Sequence, residues 1–258
     1  MRRIRSIISY DGTNYVGWQV QPNGVSVQEL LEKALFELTG ETIRVEGSGR
    51  TDSGVHARAQ VAHFDTNARM AADKFAIAMN MHLPPDIRVL YTEECDPAFH
   101  ARFSAKTKQY SYTVQLGAHA DVFTRMTALH LHYMPNVEAM QNAAAAVIGT
   151  HDFNAFKCSG SSMENTVRTV TRSEWTRNGQ YLTYTVEGNG FLYNMVRILV
   201  GTMLEIGSGK RPESDMQKAI DSGKRTDAGA TAPAHGLCLM RVIYPDFDTE
   251  EVLRRERP

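Results

Sequence analysis

The order in which strand-like and helix-like patterns follow one another constrains this fold more than any other feature of the sequence. Residues 4–10 alternate and are rich in β-branched residues, which predicts a strand. Ser26-Val27-Gln28-Glu29 is a capping box that begins a helix, and Gly40 ends it. The next predicted elements are strands at 42–47 and 59–65, a helix from Lys74 to Met81 and a strand from Ile87 to Tyr91. The order is βαββαβ, which is typical of ferredoxin-like and RRM-like folds.

The rest of the chain repeats this order, with one further short strand and one further helix. Asn178-Gly179 separates two alternating stretches and is a strong hairpin signal. The predicted elements are strands at 107–116 and near 127–133, a helix from Val137 to Ile148, strands at 166–177 and 180–187, helices from Phe191 to Ile206 and at 213–221, and a strand from Leu237 to Val242. We therefore predict an α+β fold of two βαββαβ halves, residues 1–103 and 104–258. Because the connection near Phe103 is not rich in Gly or Ser, we expect the halves to share one mainly antiparallel sheet. A single α+β domain of another topology is the alternative.

Composition narrows the class of protein. The chain has 258 residues with 42% hydrophobic content, enough for one large core or two modest ones. Its apolar runs are all shorter than the roughly 20 residues of a membrane helix, and its N-terminus lacks a signal-peptide core, so we expect a cytoplasmic protein without a membrane partner. Three separated cysteines predict buried apolar thiols and not a disulfide framework. His130 and His132 lack a third nearby ligand, so no metal site is predicted.

The net charge and the distribution of basic residues are compatible with binding to nucleic acid. The net charge of −1 argues against a protein whose whole surface is basic. Basic residues nevertheless cluster, at Arg102, Lys106 and Lys108, at Lys210-Arg211 and at Lys224-Arg225. A basic cleft on a neutral protein is therefore compatible with the sequence, because the field depends on the distribution of charge.

The densest chemical signal lies between two predicted strands, in the segment from Gly47 to Arg58. Three glycines alternate there with one carboxylate, two guanidiniums and an imidazole. Phosphate binding by a Gly-rich loop requires a following helix, and a strand follows here, so we exclude it. Asp52-Ser53-Gly54 matches the triplet of aspartic proteases, but that chemistry needs two carboxylates that share a proton. Nucleophilic catalysis by a single ionised Asp52 beside Arg50 fits better. A structural Gly-rich connection is the alternative.

Five segments in order resemble one family, the tRNA pseudouridine synthase A family (TruA). Along the chain they are Tyr10 to Gln19, Gly49-Arg50-Thr51-Asp52-Ser53-Gly54-Val55-His56-Ala57, Lys108-Gln109-Tyr110-Ser111-Tyr112, Gly190 to Arg197 and Ala232 to Leu237. The resemblance extends from the first strand to about residue 243. It implies two RRM-like halves around a central cleft, which is similar to the fold predicted from the pattern.

The resemblance also implies roles for four residues. Asp52 is expected to be the nucleophile, Arg50 to displace the target base, Tyr110 to pack on the uracil and Arg197 to pair with Asp52. A uridine inside a stem must be flipped out before it can react. An aromatic ring offers a stacking platform, and a neighbouring guanidinium lowers the pKa of a carboxylate.

The same residues have simpler interpretations. Tyr110 and Tyr112 lie on one predicted strand, and we expect one of the pair to face the core. Arg197 lies in an apolar helix, where a charge needs a partner whatever the family. Arg225-Thr226-Asp227 repeats the letters of Arg50-Thr51-Asp52, but it lies between a helix and a strand, so we interpret the repeat as chance.

The leading functional prediction is thus a tRNA pseudouridine synthase. The resemblance implies action at positions 38, 39 and 40 of the tRNA anticodon stem-loop, a homodimer, and no cofactor. The alternatives are a non-catalytic RNA-binding protein with tandem RRM-like units and an aspartic protease. RRM strands normally carry aromatic-rich motifs, which residues 59–65 and 180–187 do not match well.

Overall fold

A computed structural model of the chain describes residues 1–158 and 164–256. The fold is of the α+β class with mainly antiparallel strand pairing, as predicted. Strands are β1 (Arg2–Tyr10), β2 (Glu46–Gly47), β3 (His56–Thr66), β4 (Ile87–Cys95), β5 (Thr107–Leu116), β6 (Leu129–Leu131), β7 (Gly149–Asp152), β8 (Val167–Asn178), β9 (Tyr181–Gly188) and β10 (Leu237–Ile243). Helices are α1 (Val27–Thr39), α2 (Lys74–Asn80), α3 (Val137–Ala145), α4 (Met195–Gly207), α5 (Ser214–Ser222) and α6 (Thr249–Arg255).

Two compact units make up the chain. The first contains residues 1–108 together with those from 238 onward, and the second contains residues 109–237. The sequence predicts a boundary near Phe103, with all later residues in the second half. In the structure the segment after residue 238 packs within the first unit, where Cys238 pairs with His56 in a parallel register of β10 with β3.

The strands of the first unit follow the order β4-β1-β3-β10, and β2 pairs with the edge of β3. The pairs β1–β3, β1–β4 and β2–β3 are all antiparallel. The predicted helix α1 is confirmed: the Ser26 hydroxyl accepts from the Glu29 amide at 3.2 Å, and Gly40 ends the helix in the left-handed conformation. The interior is apolar, with Ile4, Ile7, Leu31, Leu35 and Phe75 fully buried.

The predicted strand at 42–47 is wrong for most of its length, since only Glu46–Gly47 form a strand. Ile43 and Val45 are buried, as the alternating pattern requires. The backbone of Val45, however, is bonded to side chains of α1: its amide donates to Glu32 at 3.1 Å and its carbonyl accepts from Gln28 at 3.0 Å. Side chains of α1 therefore supply the hydrogen bonds that a neighbouring strand would otherwise make with Val45.

The strands of the second unit follow the order β5-β9-β8-β7, and β6 pairs with β5 in parallel. The hairpin of β8 and β9 was predicted, and its turn is Gly179-Gln180, with Gly179 at φ +59° and Asn178 paired with Tyr181. Strand β7 was not predicted.

Helix α4 forms the centre of the second unit, with ten of its thirteen residues buried. It begins at Met195 and not at the predicted Phe191, because Asn194 adopts the left-handed conformation at φ +62°. Gly201 allows the chain at Ala230 to approach closely: a Cβ atom at Gly201 would lie 1.8 Å from the Ala230 carbonyl oxygen.

The length of the apolar helices and the burial of the cysteines were also predicted from the sequence. None of the helices in the described ranges is long and apolar enough to cross a membrane. The cysteines were expected to be buried apolar thiols, and Cys95, Cys158 and Cys238 all have intermediate exposure.

Candidate active site

The loop between β2 and β3 in the first unit carries Arg50 and Asp52. Two contacts fix the intervening Thr51: its hydroxyl lies 2.7 Å from the Tyr10 hydroxyl, and its carbonyl accepts from the Trp18 amide at 3.1 Å. Both partners belong to the segment from Tyr10 to Gln19, which the sequence analysis grouped with this loop. Arg50 is exposed and Asp52 is half-buried. The backbone beside Asp52 is thus held by the buried residues Tyr10 and Trp18.

A tight turn follows Asp52. The Val55 amide donates to the Asp52 carbonyl at 3.1 Å, and Gly54 takes φ +77°, which only glycine adopts at little cost. Ser53 and Gly54 donate to the Tyr15 carbonyl, at 3.2 and 3.3 Å. The triplet Asp-Ser-Gly therefore serves the geometry of this turn.

His56, at the end of the loop between β2 and β3, contacts the residues that directly follow β1. Its Nδ1 accepts from the buried Gly12 amide at 3.0 Å, and an oxygen of Asp11 lies 3.1 Å from the same nitrogen. An amide can only donate, so the Gly12 contact requires an unprotonated Nδ1, whereas the Asp11 contact is an ion pair only if Nδ1 is protonated. Burial tends to raise the pKa of Asp11, but hydrogen bonds from Thr13 and the neighbouring His56 leave that pKa below its usual value.

The opposite end of the loop is also bonded. The Gln60 side-chain amide donates to the Gly49 carbonyl at 2.9 Å, and Lys108 donates to the Ser48 carbonyl at 2.5 Å. Lys108, which was predicted to belong to a basic cluster, therefore helps to hold the backbone of this loop close to Arg50.

Tyr110 lies on β5 in the second unit, where its ring meets the ring of Phe191 edge-on with centroids 5.3 Å apart. One of Tyr110 and Tyr112 was expected to face the core, and in the structure both are buried, at 8% and 0% exposure. Residues two apart on a strand share a face, so they cannot be divided between core and solvent. Tyr112 donates to the Pro233 carbonyl at 2.9 Å.

Arg197 lies in the first turn of α4 and is half-buried. Two neutral groups of the second unit accept hydrogen bonds from it: Nε donates to the Ala232 carbonyl at 2.8 Å and Nη1 donates to Asn194 Oδ1 at 3.0 Å. The Ala232 amide donates in turn to the Arg197 carbonyl at 3.0 Å. The three resemblance segments around residues 110, 194 and 233 thus meet within the second unit.

Asp227, the repeat of the Arg-Thr-Asp letters, has local partners. It ends a short 3-10 helix, accepts from Ser222 at 2.7 Å and lies 3.5 Å from Lys218. The Ser222 hydrogen bond is the main reason that the pKa of Asp227 is lowered. Arg211, from another predicted basic cluster, pairs with Glu205 at 2.6 Å and with Asp215 at 3.2 Å.

The sequence did not point to several of the residues that lie around Asp52 and Arg197 in the structure. Thr51, His56 and Asp11 were not given roles, although all three lie in the segments that carried the resemblance. Asn194 was placed inside a helix, and an Asn in a helical pattern gives little sign of a left-handed conformation.

Comparisons with known proteins support the resemblance. The sequence model of a family described as tRNA pseudouridine synthase matches residues 7–104 and 143–245. A protein of Halalkalibacterium halodurans named tRNA pseudouridine synthase A is 49% identical over 238 residues, which is 92% of this chain and 90% of that protein. One of the same name from Thermoanaerobacter sp. is 46% identical over 244 residues, 95% of this chain and 100% of that protein.

A solved structure titled "Crystal Structure of a Cbf5-Nop10-Gar1 Complex" contains a chain that is 14% identical, with a TM-score of 0.40. The likeness covers 93% of this chain and 50% of that chain. A similarity this low supports no conclusion about the site.

Proposed function

This chain belongs to the tRNA pseudouridine synthase family, and we propose that Asp52 is the carboxylate with which it isomerises uridine to pseudouridine in the anticodon stem-loop of tRNA. The observation that carries the proposal is the support of the Asp52 loop. Its backbone is bonded on both sides, through Thr51 and through the turn at Gly54, and Asp52 itself is half-buried. A preorganised nucleophile on a rigid scaffold is what covalent or general-base chemistry requires.

The reaction balances without a redox step. The bond between uracil N1 and the sugar C1′ breaks, the uracil turns, and a bond forms between its C5 and C1′. The C5 hydrogen leaves as a proton, and N1 gains a proton. Because the substrate and product are isomers, no electron acceptor or group donor is consumed, and we propose that no cofactor takes part.

Three more residues complete the proposed mechanism. Arg50 fills the space left by the flipped uridine, since its side chain is exposed and planar guanidinium groups stack on bases. Tyr110 packs against the uracil. Arg197 pairs with Asp52 and keeps it ionised.

The finer features of the fold and assembly are also proposed. Two ferredoxin-like halves around a central cleft, and a homodimer in which one tRNA contacts both subunits, would allow a stem-loop to be held along its length. We propose positions 38, 39 and 40 as the target uridines.

Release of tritium from tRNA that carries the label at uracil C5 tests the proposal. We expect release by the wild-type protein, and we expect Asp52→Asn to lower the rate at least about a thousandfold while tRNA binding persists, because the nucleophile is lost but not the binding surface. The matched control is Asp227→Asn, which changes the same residue type within the same three letters and should keep the wild-type rate.

Two results would contradict the proposal. One is a wild-type protein that releases no label at any tRNA concentration, and the other is an Asp52→Asn variant as active as the control. A transcript with cytidine at positions 38, 39 and 40 tests the target site, and undiminished release from it would overturn the proposed positions.

A further inference from the structure

Asn194 has an unusual backbone conformation. It adopts φ +62° and ψ 3°, and it is the one non-glycine residue with positive φ in the described ranges 1–158 and 164–256. The left-handed region is unfavourable for residues with a Cβ atom, although Asn tolerates it better than most. Such conformations persist where their surroundings hold them in place, and they cluster at functional sites.

The side chain of Asn194 is used in an unusual way. Asn194 is the N-cap residue of α4, where an Asn side chain normally accepts from an amide of the first turn. It makes no such bond here. Its Oδ1 accepts instead from Nη1 of Arg197 at 3.0 Å. Because a guanidinium only donates hydrogen bonds, the atom that faces it must be the amide oxygen.

Arg197 needs this support. It lies in the first turn of α4, where the helix dipole disfavours a cation. Ala232 and Asn194 hold it at Nε and Nη1, at 2.8 and 3.0 Å. Two acceptors on different nitrogens of a planar group fix both its position and its rotation. The Ala232 acceptor is a backbone carbonyl, whereas the Asn194 acceptor is a side-chain oxygen. Of these two acceptors, only the one from Asn194 therefore depends on the identity of a side chain.

We infer that Asn194 is a positioning residue, which orients the Arg197 guanidinium toward the catalytic carboxylate. The inference rests on the proposed function, in which Arg197 pairs with Asp52. Neither helix capping nor backbone conformation explains an Asn at this position. Glycine adopts the left-handed conformation without strain, and the helix-capping bond that would favour Asn is absent.

A pair of substitutions separates positioning from folding. Asn194→Gly removes the oxygen and relieves the backbone strain, whereas Asn194→Ala removes the oxygen and keeps the strain. We expect both variants to lose about ten- to a hundredfold in kcat with little change in KM, since misplacement of a catalytic group has effects of this size. Only Asn194→Ala should lower the melting temperature.

The pH profile gives a readout that a structural role would not move. A less well oriented Arg197 should hold the catalytic carboxylate ionised less effectively, so the acid limb of kcat should shift to higher pH in both variants. Asn178→Gly, at the end of β8, is the matched control and should keep the wild-type profile.

The inference is overturned if Asn194→Gly has wild-type kcat and an unshifted acid limb, or if kcat follows the melting temperature so that only Asn194→Ala is impaired. These results differ from a failure of the proposed function, in which the wild-type protein itself releases no tritium.

Discussion

Backbone atoms hold the residues proposed for catalysis. Thr51 is fixed through its carbonyl by the Trp18 amide, and the turn after Asp52 is closed by two backbone amides. Arg197 is held at Nε by the Ala232 carbonyl. At the scale of the residue, the small side chains of these segments therefore matter because they let main-chain groups approach. Gly12 illustrates this, since a Cβ atom there would lie 2.0 Å from the Val55 carbonyl oxygen.

His63 links stability to pH. Burial, with the charges of Arg3 and His100, lowers the pKa of His63 from 6.5 to about 4. The unfolded chain therefore binds a proton at His63 at a higher pH than the folded protein does, and the free energy of unfolding falls as pH falls through this window. We expect a contribution on the order of 2–3 kcal/mol that is fully present above pH 6.5 and lost progressively toward pH 4.

Urea unfolding at pH 7 and pH 4.5 measures this effect. His63→Gln should flatten the dependence on pH, because the amide does not titrate. His82→Gln, at an exposed position, should keep the wild-type dependence. Equal pH dependence in the wild-type protein and His63→Gln would show that another group is responsible.

At the scale of the element, α4 and the chain at Ala230 are in close contact at Gly201. A methyl group at Gly201 would lie 1.8 Å from a backbone oxygen, so the helix or the chain must move. We expect Gly201→Ala to lower the free energy of unfolding by about 3 kcal/mol, at the upper end of overpacking costs. We also expect it to lower kcat, because the displaced chain carries the Ala232 carbonyl that binds Arg197.

Gly190→Ala is the control for this change. Its added methyl group would have ordinary contacts, the nearest 3.6 Å away at the side chain of Arg168, and stability should change by less than about 0.5 kcal/mol. Denaturant unfolding of the two variants distinguishes them. Equal stability would mean that the chain near Ala230 moves without cost.

Elements with a strong local pattern could be predicted from the sequence, and those that depend on distant partners could not. The capping box of α1 and the hairpin of β8 and β9 are encoded in adjacent residues. The stretch at 42–45 has a strand-like alternation, yet its hydrogen bonds go to Gln28 and Glu32, which no local pattern reveals. The start of α4 was also missed, since an Asn in a helical pattern gives little sign of the left-handed conformation that Asn194 adopts.

For the candidate site, the sequence pointed to the proposed residues but not to the contacts that support them. Asp52, Arg50, Tyr110 and Arg197 came from segments that resemble a family. Their supporting contacts, such as Tyr10 with Thr51 and Gly12 with His56, join residues more than forty positions apart. Spacing along the chain does not determine which of these distant groups meet.

At the scale of the whole molecule, the net charge of −1 bears on how a polyanion is bound. Attraction to tRNA must come from local groups of basic residues, since the total charge does not provide it. We expect the logarithm of the binding constant to fall linearly with the logarithm of salt concentration, by at least about tenfold between 50 and 200 mM salt. Filter binding or fluorescence anisotropy measures the slope, and a slope near zero would argue against phosphate contacts.

The first unit joins sequence positions that are far apart. Arg5, 7% exposed, lies between the carboxylates of Glu93 and Asp246, and its guanidinium carbon is 4.0 Å from the ring centroid of Phe247. Strand β10 also pairs with β3 at His56 and Ala57, directly after the loop of Asp52.

This arrangement has a consequence for biosynthesis. A ribosome adds roughly 5–20 residues per second, so about 10–50 s pass between the appearance of Arg5 and that of Asp246. During that time the nascent chain can complete the second unit, but the start of β3 still lacks β10 and Arg5 lacks one of its two carboxylates. The start of the strand that follows the Asp52 loop therefore gains its β10 partner only when translation has passed residue 243, and a prematurely terminated chain would carry the whole Asp52 motif without that pairing.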